Sequence, residues 1–375
     1  MCEGEQQFFF GYYDIQPWDI NNRYHLACAA NFMDRLPENG DRVQVGYIDA
    51  EKGTFISIDS TSAWNFQQST MLRWNPQKPD REIIYNIRNG QNYASKIKNI
   101  ITGEERIIDR PLASIDSKGN YGLSIDFSRI FDFRPGYGYA EIKDKNVEIQ
   151  HPADDGIFLV NLRDNISKLI ISYEELWQKF SKDTPLSDRK ILINHINFNQ
   201  DGTRFVFLCR TFPTQTETWK TITLTANTDG TDMYCLTDYS YASHYNWRDN
   251  ENLLIYTVKD GVDGLYLLKD KTQDYTSIDR NFFAEDGHCS YSPDKKWILY
   301  DSYPDKSGYR ILFLYDIENS KGIKLAALYS DPIANGDIRC DLHPRWNRLG
   351  NMITFDSTHE CHRYIYSIDL KSVFR

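Results

Sequence analysis

The chain has 375 residues, of which 41% are hydrophobic and 14% aromatic, with 25 Tyr and 20 Phe. That is enough apolar material for a large core and too much for a disordered chain, and it is rich in the residue types that favour strands. A net charge of −10 excludes a general binder of nucleic-acid phosphates, which needs a basic surface, although a few Arg in a cleft would still hold an acidic sugar.

At the N-terminus, MCEGEQQFFFGYYD (1–14) has no basic segment followed by an apolar one, so no signal peptide is read there. No later apolar run approaches the roughly 20 residues of a membrane span. A cytoplasmic protein is expected; the alternative is a periplasmic or lipid-anchored one, if Cys2 is the trimmed start of a lipoprotein. The cysteines stand at 2, 28, 209, 235, 289, 340 and 361. Their odd number and lack of framework spacing predict thiols that are reduced or metal-bound.

Along the chain one unit recurs: an aromatic or apolar start, Pro or Asn, a polar turn, then a β-rich run. It appears as QPWDINNRYHLACAA (16–30), LRWNPQKPDREIIYNI (72–87), DSKGNYGLSIDF (116–127), NFNQDGTRFVFLCR (197–210), NWRDNENLLIYTV (246–258), YSPDKKWILYDSY (291–303) and PRWNRLGNMITFDS (344–357). Most copies are followed by a second alternating hairpin, such as VQVGYIDAEKGTFISI (43–58). Two hairpins in about 40–50 residues make one four-stranded blade, which stacks on its neighbours around an axis. The expected fold is all-β: one seven-bladed β-propeller over residues 1–375, with blades starting near 16, 72, 116, 195, 244, 288 and 341. Leu, Trp and Phe at helical spacing predict a short helical insertion at about 171–188. Residues 127–155, with the run RPGYGY, read as a long loop on one face.

The segments GYYDIQPW (11–18), AWNFQQSTMLRW (63–74), FDFRPGYGY (131–139), HINFNQDGTRFVFLCR (195–210), SHYNWRD (243–249), GHCSYSPD (287–294) and CDLHPRW (340–346) resemble the β-propeller polysaccharide lyases, the group of oligogalacturonate and ulvan lyases. The resemblance covers nearly the whole chain. It implies a seven-bladed propeller, a cleft for acidic oligosaccharides and a metal near the last blades. It also implies metal ligands at a His in the position of His288 and at an x-x-His pair in the last blade. Oligogalacturonate lyases have an amide side chain, suited to manganese, as the first member of that pair; this chain has Cys340.

His195, His244, His288 and His343 each stand at or just before a blade start. Equivalent positions in successive blades project toward one face of the axis, so the four are expected to converge. His288, Cys340 and His343 are the candidate metal ligands, and sulfur with imidazole nitrogen makes zinc the expected ion over manganese; the alternative is a free Cys340 thiol packed in the core. His359, Cys361 and His362 are read as surface residues, because neighbours in a strand point to opposite faces.

A lyase must neutralise the uronate carboxylate, remove the proton beside it and protonate the leaving oxygen. Arg210 is the candidate carboxylate clamp, since its planar fork suits bidentate binding. His244 is the candidate base, with His195 beside it, and Tyr239, Tyr241 or Tyr245 could supply a phenol, Tyr241 being the candidate adopted. Asn65, Gln67 and Gln68 either bond sugar hydroxyls or form a structural turn. Arg134, Tyr137 and Tyr139 either form a stacking and charge platform or pack the loop. Arg88 and Arg248 are further candidate cleft cations. The function expected is a metal-containing lyase that cleaves uronate-bearing oligosaccharides or polysaccharides by β-elimination. The alternative is a non-catalytic propeller that binds saccharide or protein.

Overall fold

The polar turn of the repeat is a hairpin locked by one side chain. Asp19 Oδ1 accepts from the backbone N–H of Arg23 (2.7 Å) and Tyr24 (2.8 Å), and Asp116 Oδ1 from Asn120 (2.7 Å) and Tyr121 (2.8 Å). Asn347 Oδ1 takes the same two places at Asn351 (3.0 Å) and Met352 (3.1 Å). Short polar side chains that bond backbone a few residues on define such turns, which is why Asp and Asn recur there.

The protein is described from a computed structural model covering residues 6–371 and 373, so Cys2 lies outside the described residues. Seven antiparallel sheets follow one another, each with its strands in chain order. The first sheet contains Gln7–Phe9, Tyr24–Ala30, Val43–Asp49 and Thr54–Thr61. The next five open on Arg73–Trp74, Ser114–Ile115, Ile191–Phe198, Ala242–Trp247 and Cys289–Tyr291, and each has four strands. The seventh has three: Arg345–Trp346, Met352–Ser357 and Tyr364–Asp369. First strands are largely buried toward the axis, whereas fourth strands such as Tyr275–Ser277 are exposed. The result is a seven-bladed β-propeller. Its core fills the spaces between blades: Val206 and Leu208 of blade four pack with Tyr245, Trp247 and Leu253 of blade five. Leu299 and Leu312 of blade six pack with Trp346 and Phe355 of blade seven.

The helix expected within 171–188 spans Tyr173–Phe180, with Ser172 Oγ capping Glu175 N–H at 3.0 Å. One expectation is corrected. Residues 127–155 do not form a loop throughout, because Phe127–Phe133 is a helix. Asp126 caps it by accepting from Ser128 and Arg129, and Phe127 and Ile130 join the core. Arg129 is fully buried and donates to the Ile191 (3.0 Å) and Gln150 (2.7 Å) carbonyls, which ties the following loop to blade four. No helix among the described residues is long and apolar enough to cross a membrane.

Ring closure is made without an exchanged strand among the described residues. Phe8 N–H donates to the Arg363 carbonyl (2.7 Å), Phe10 N–H to Asp356 Oδ2 (3.2 Å), and Arg345 Nη1 to the Gly11 carbonyl (3.0 Å). Arg345 Nη2 pairs with Asp356 Oδ1 at 2.5 Å, both residues being buried. The chain then leaves the first sheet after Phe9 and returns at the Trp18–His25 bridge. The excursion carries Tyr12 and Tyr13 into the axis, where Tyr13 O–H donates to the Tyr245 carbonyl (2.7 Å) and accepts from its N–H (2.8 Å).

Candidate functional site

The four blade-start histidines meet around these two tyrosines. Ring centroids are 3.9 Å apart for His244 and His288 and 4.3 Å for His288 and His343. Tyr12 stacks on His195 at 4.8 Å and lies 5.0 Å from His343. Bulges make this possible: the register of Ile191–Phe198 slips between Asn194 and Ile196, and that of Ala242–Trp247 between Ala242 and Tyr245. His195 (φ 46°) and His343 (φ 42°) adopt the left-handed backbone region, which is strained for these residues.

Each imidazole is held differently. Gln68 Nε2 donates to His195 Nδ1 (3.3 Å), which leaves Nε2–H to donate to the Tyr12 oxygen (3.3 Å). Burial, reinforced by Arg210, holds His195 well below its ordinary range, so it is neutral. His244 Nδ1 faces Asp286 Oδ1 (3.1 Å), and Tyr241 O–H donates to Asp286 Oδ2 (2.7 Å). Burial and then His288 lower His244, with Asp286 opposing them. Burial works to raise Asp286, but His244 beside it and its hydrogen bonds outweigh that and keep it ionised. Tyr241 is pushed well up by burial and then by Asp286, so it keeps its proton.

His288 Nδ1 is bound by both oxygens of Asp301 (2.9 and 3.0 Å), which aims Nε2 away from the carboxylate. One ligand atom each of His288, Asp341 and His343 lies within 4.8 Å of the others, all three residues being buried. His288 Nε2, His343 Nε2 and both Asp341 oxygens have no aligned hydrogen bond. Arg310 and Arg339 stand 2.8 Å from the Asp341 oxygens in ion-pair contact only. Burial alone would raise Asp341, yet Arg339 and Arg310 hold it far below the carboxylate range. Two imidazole nitrogens without a hydrogen-bond partner converge with a carboxylate that Arg310 and Arg339 keep ionised, a set that fits a divalent transition metal, and Asp301 supplies the outer carboxylate that such a His ligand ordinarily has.

Cys340, the expected third ligand, is not in this group; its neighbour Asp341 is. Burial pushes the Cys340 thiol up to about 11, and its sulfur faces the Asp341 carbonyl at 4.0 Å. The loss of sulfur removes the preference for zinc, because an N/O set also suits manganese. Metal analysis is therefore expected to show unchanged content in Cys340→Ser and at least a tenfold loss of affinity in Asp341→Asn. The reverse pattern would return Cys340 to the ligand set. None of the six described cysteines is disulfide-bonded.

Beside the histidines lies a narrow cavity of about 50 Å³ lined by Arg134, Tyr137, His195, Arg210, Trp219, Tyr241, His244 and Tyr303, among others. Arg210, 4% exposed, has an unpartnered Nε and no ion pair. Burial, with Arg134 nearby, pushes its guanidinium down to about 10. Arg134 lies over the rings of Tyr137 (4.1 Å) and Trp219 (5.6 Å).

Two groups of expected ligand-binding residues do not reach this cavity. Gln67 is fully buried and donates to the Arg339 carbonyl (2.8 Å), while Gln68 positions His195. Arg248 follows the far end of the Ala242–Trp247 strand, is exposed, and its carbonyl accepts from Gln200, so it belongs to the opposite mouth. Arg88 pairs with Glu141 (3.4 Å), away from the cavity. Tyr12, Trp219, Tyr303, Asp286 and Asp341 also belong to the site, and no motif of the sequence assigns them individually to it. Tyr12 lies within the GYYDIQPW segment, Asp341 within CDLHPRW and Tyr303 at the end of the repeat copy 291–303; Trp219 and Asp286 lie in no such segment.

The buried histidines also set the acid limit of the metal-free fold. Burial pushes His25 down to about 3 from the ordinary 6.5, and His195, His244 and His343 are lowered as well. A folded state that refuses protons the unfolded chain accepts is fully stable above pH 6.5 and loses stability as pH falls below it. Burial raises Asp14 to about 6 and Asp155 to about 7 and lifts Asp126 and Asp132 as well, which opposes this, but His151 is also lowered, so five histidines act against four carboxylates. Urea midpoints of metal-free protein are expected to be flat above pH 7 and to fall steadily from pH 6.5 to 4.5. A midpoint that rises over that interval would contradict the assignment.

No family model matches the chain, and no curated protein matches it. Among solved structures it is similar to an oligogalacturonate lyase from Vibrio parahaemolyticus, at a TM-score of 0.66 and 12% identity over 99% of this chain and 93% of that one. It is also similar to the β-propeller domain of the Trilobed protease from Pyrococcus furiosus, at 0.51 and 11% over 92% and 88%. TolB from Acinetobacter baumannii matches at 0.45 and 12% over 89% and 75%. At such identities the first two likenesses show a shared propeller fold and no more.

Proposed function

We propose that the protein is a metal-dependent lyase that cleaves uronate-containing oligosaccharides by β-elimination. The observation that carries this reading is Arg210, a buried guanidinium without an acidic partner, in one cavity with a neutral imidazole and a protonated phenol. A buried charge without a partner is costly, and a carboxylate ligand supplies the partner. Arg210 binds the uronate carboxylate and draws charge from the adjacent carbon. His244, neutral and oriented by Asp286, accepts the proton from that carbon, and Asp286 stabilises the imidazolium formed. Tyr241, which keeps its proton, turns it from Asp286 Oδ2 to the leaving glycosidic oxygen. His288, Asp341 and His343 would hold a divalent cation, which would supply Lewis-acid charge to the reaction. The oligogalacturonate lyase with this propeller fold makes galacturonate oligosaccharides the first substrates to test.

The test is incubation with galacturonate, glucuronate and iduronate oligosaccharides, with manganese or zinc added, following the ultraviolet absorbance of an unsaturated product. Wild type is expected to give signal on at least one, and His244→Ala to lose at least ~10²-fold in rate, the scale of a general base. No product from any member of the panel would reject the lyase. Binding without turnover would instead support a saccharide-binding propeller.

A further inference from the structure

A second group of buried carboxylates lies outside the cleft. Asp126 caps the Phe127–Phe133 helix, Asp144 sits in the loop after it, and Asp155 precedes the Gly156–Asn161 strand. One oxygen from each lies within 4.8 Å of the others. Asp144 Oδ1 accepts from Asn146 N–H (2.7 Å), and its Oδ2 faces Arg129 (3.1 Å) and Lys190 (3.7 Å). Asp155 Oδ1 accepts from Gly156 N–H (2.8 Å). Asp155 Oδ2 has no partner, although the residue is only 4% exposed. Asp126 and Asp155 both line a cavity of about 470 Å³, which provides an entry path.

The surrounding positive groups do not answer that oxygen. Arg129 directs its donors to Ile191, Gln150 and Asp144. Lys145 pairs with Asp154 (3.0 Å). Arg110 lies over the Phe158 ring (3.2 Å) and donates to Ser167 Oγ (3.1 Å). Lys143 lines the cavity wall and makes no ion pair with the three carboxylates. We propose that Asp126, Asp144 and Asp155 bind Ca²⁺, which enters through this cavity and takes Asp155 Oδ2 as a ligand. An all-oxygen set suits a hard cation, and Ca²⁺ tolerates an irregular shell completed by water. The ion would fasten the helix start, the loop and the strand start together. The stretch so fastened is the one that delivers Arg134 and Tyr137 to the cleft.

The experiment is calorimetric titration of the chelator-stripped full chain with CaCl₂, together with thermal unfolding across the same concentrations. One Ca²⁺ is expected, half-saturating at ~10⁻⁴–10⁻³ M, with a midpoint that rises with Ca²⁺. Asp155→Asn is expected to abolish both signals. Asp126→Asn, whose amide keeps the helix cap, is expected to weaken binding at least tenfold and decides the matter if Asp155→Asn does not fold. His288→Ala is expected to leave the Ca²⁺ response intact, which separates this site from the histidine cluster. Absence of Ca²⁺ heat and midpoint shift in the wild type, or an unchanged response in the folded Asp variants, would overturn the proposal.

Discussion

Arg210→Met is expected to unfold at a higher temperature than wild type while losing turnover on uronate oligosaccharides. Arg210 sits on the Arg204–Thr211 strand at 4% exposure, with an unpartnered Nε and no ion pair. Arg134 in the same cavity adds like-charge repulsion. A structural arginine would resemble Arg129, whose guanidinium is fully occupied by carbonyls and Asp144. Arg210 instead holds charge in a dry place for something absent from the fold. Removing it relieves desolvation and repulsion, for a gain of ~2–4 °C in a chain of this size. The same change removes the group that stabilises the developing negative charge, on the scale of ~10²–10³-fold in kcat. Thermal midpoint and product formation measured on one preparation decide this. A lower midpoint with retained turnover would make Arg210 structural and remove the main support for the proposed chemistry.

Arg345→Met is expected to be the most destabilising single change of those considered, at ~3–5 kcal/mol, because it leaves Asp356 buried without its cation. Blade seven has three strands, and its junction with blade one rests on Arg345, Asp356 and their bonds to Gly11 and Phe10. Phe9, Phe10 and Leu26 of blade one pack with Ile338 and Ile365 at this junction, so its failure would open the ring at its thinnest blade. Asp356→Asn keeps an acceptor for Phe10 N–H and should cost less. The double variant Arg345→Met with Asp356→Leu should recover part of the loss, since both charges are then gone. Urea unfolding of the three variants checks the order. A loss below ~1 kcal/mol for Arg345→Met would show that apolar packing alone closes the ring.

The repeat was legible because its signals are short-range. Asp19, Asp116 and Asn347 each lock a turn within five residues, and alternation along a strand is a property of the strand itself. Seven such turns imply seven blades, and the helix at Tyr173–Phe180 announced itself by periodicity. The convergence of His195, His244, His288 and His343 followed from their equivalent places in successive repeats.

Contacts made by irregular backbone were not legible. Alternation says which face of a sheet a residue takes, but His343 lies before its strand with φ 42°, where no alternation applies. The choice of Asp341 over the adjacent Cys340 is made by the path of that loop. Arg248 and His244 share a strand neighbourhood in sequence, yet the length of the strand sends them to opposite mouths. Trp219 and Tyr303 reach the cleft from connecting segments, and Tyr12 reaches the axis because the chain leaves blade one between Phe9 and Trp18. By itself, the sequence determined a seven-bladed propeller whose later blades bring their histidines together. Only the tertiary structure decided which side chains stand beside them, because loop paths depend on packing between blades that no local pattern encodes.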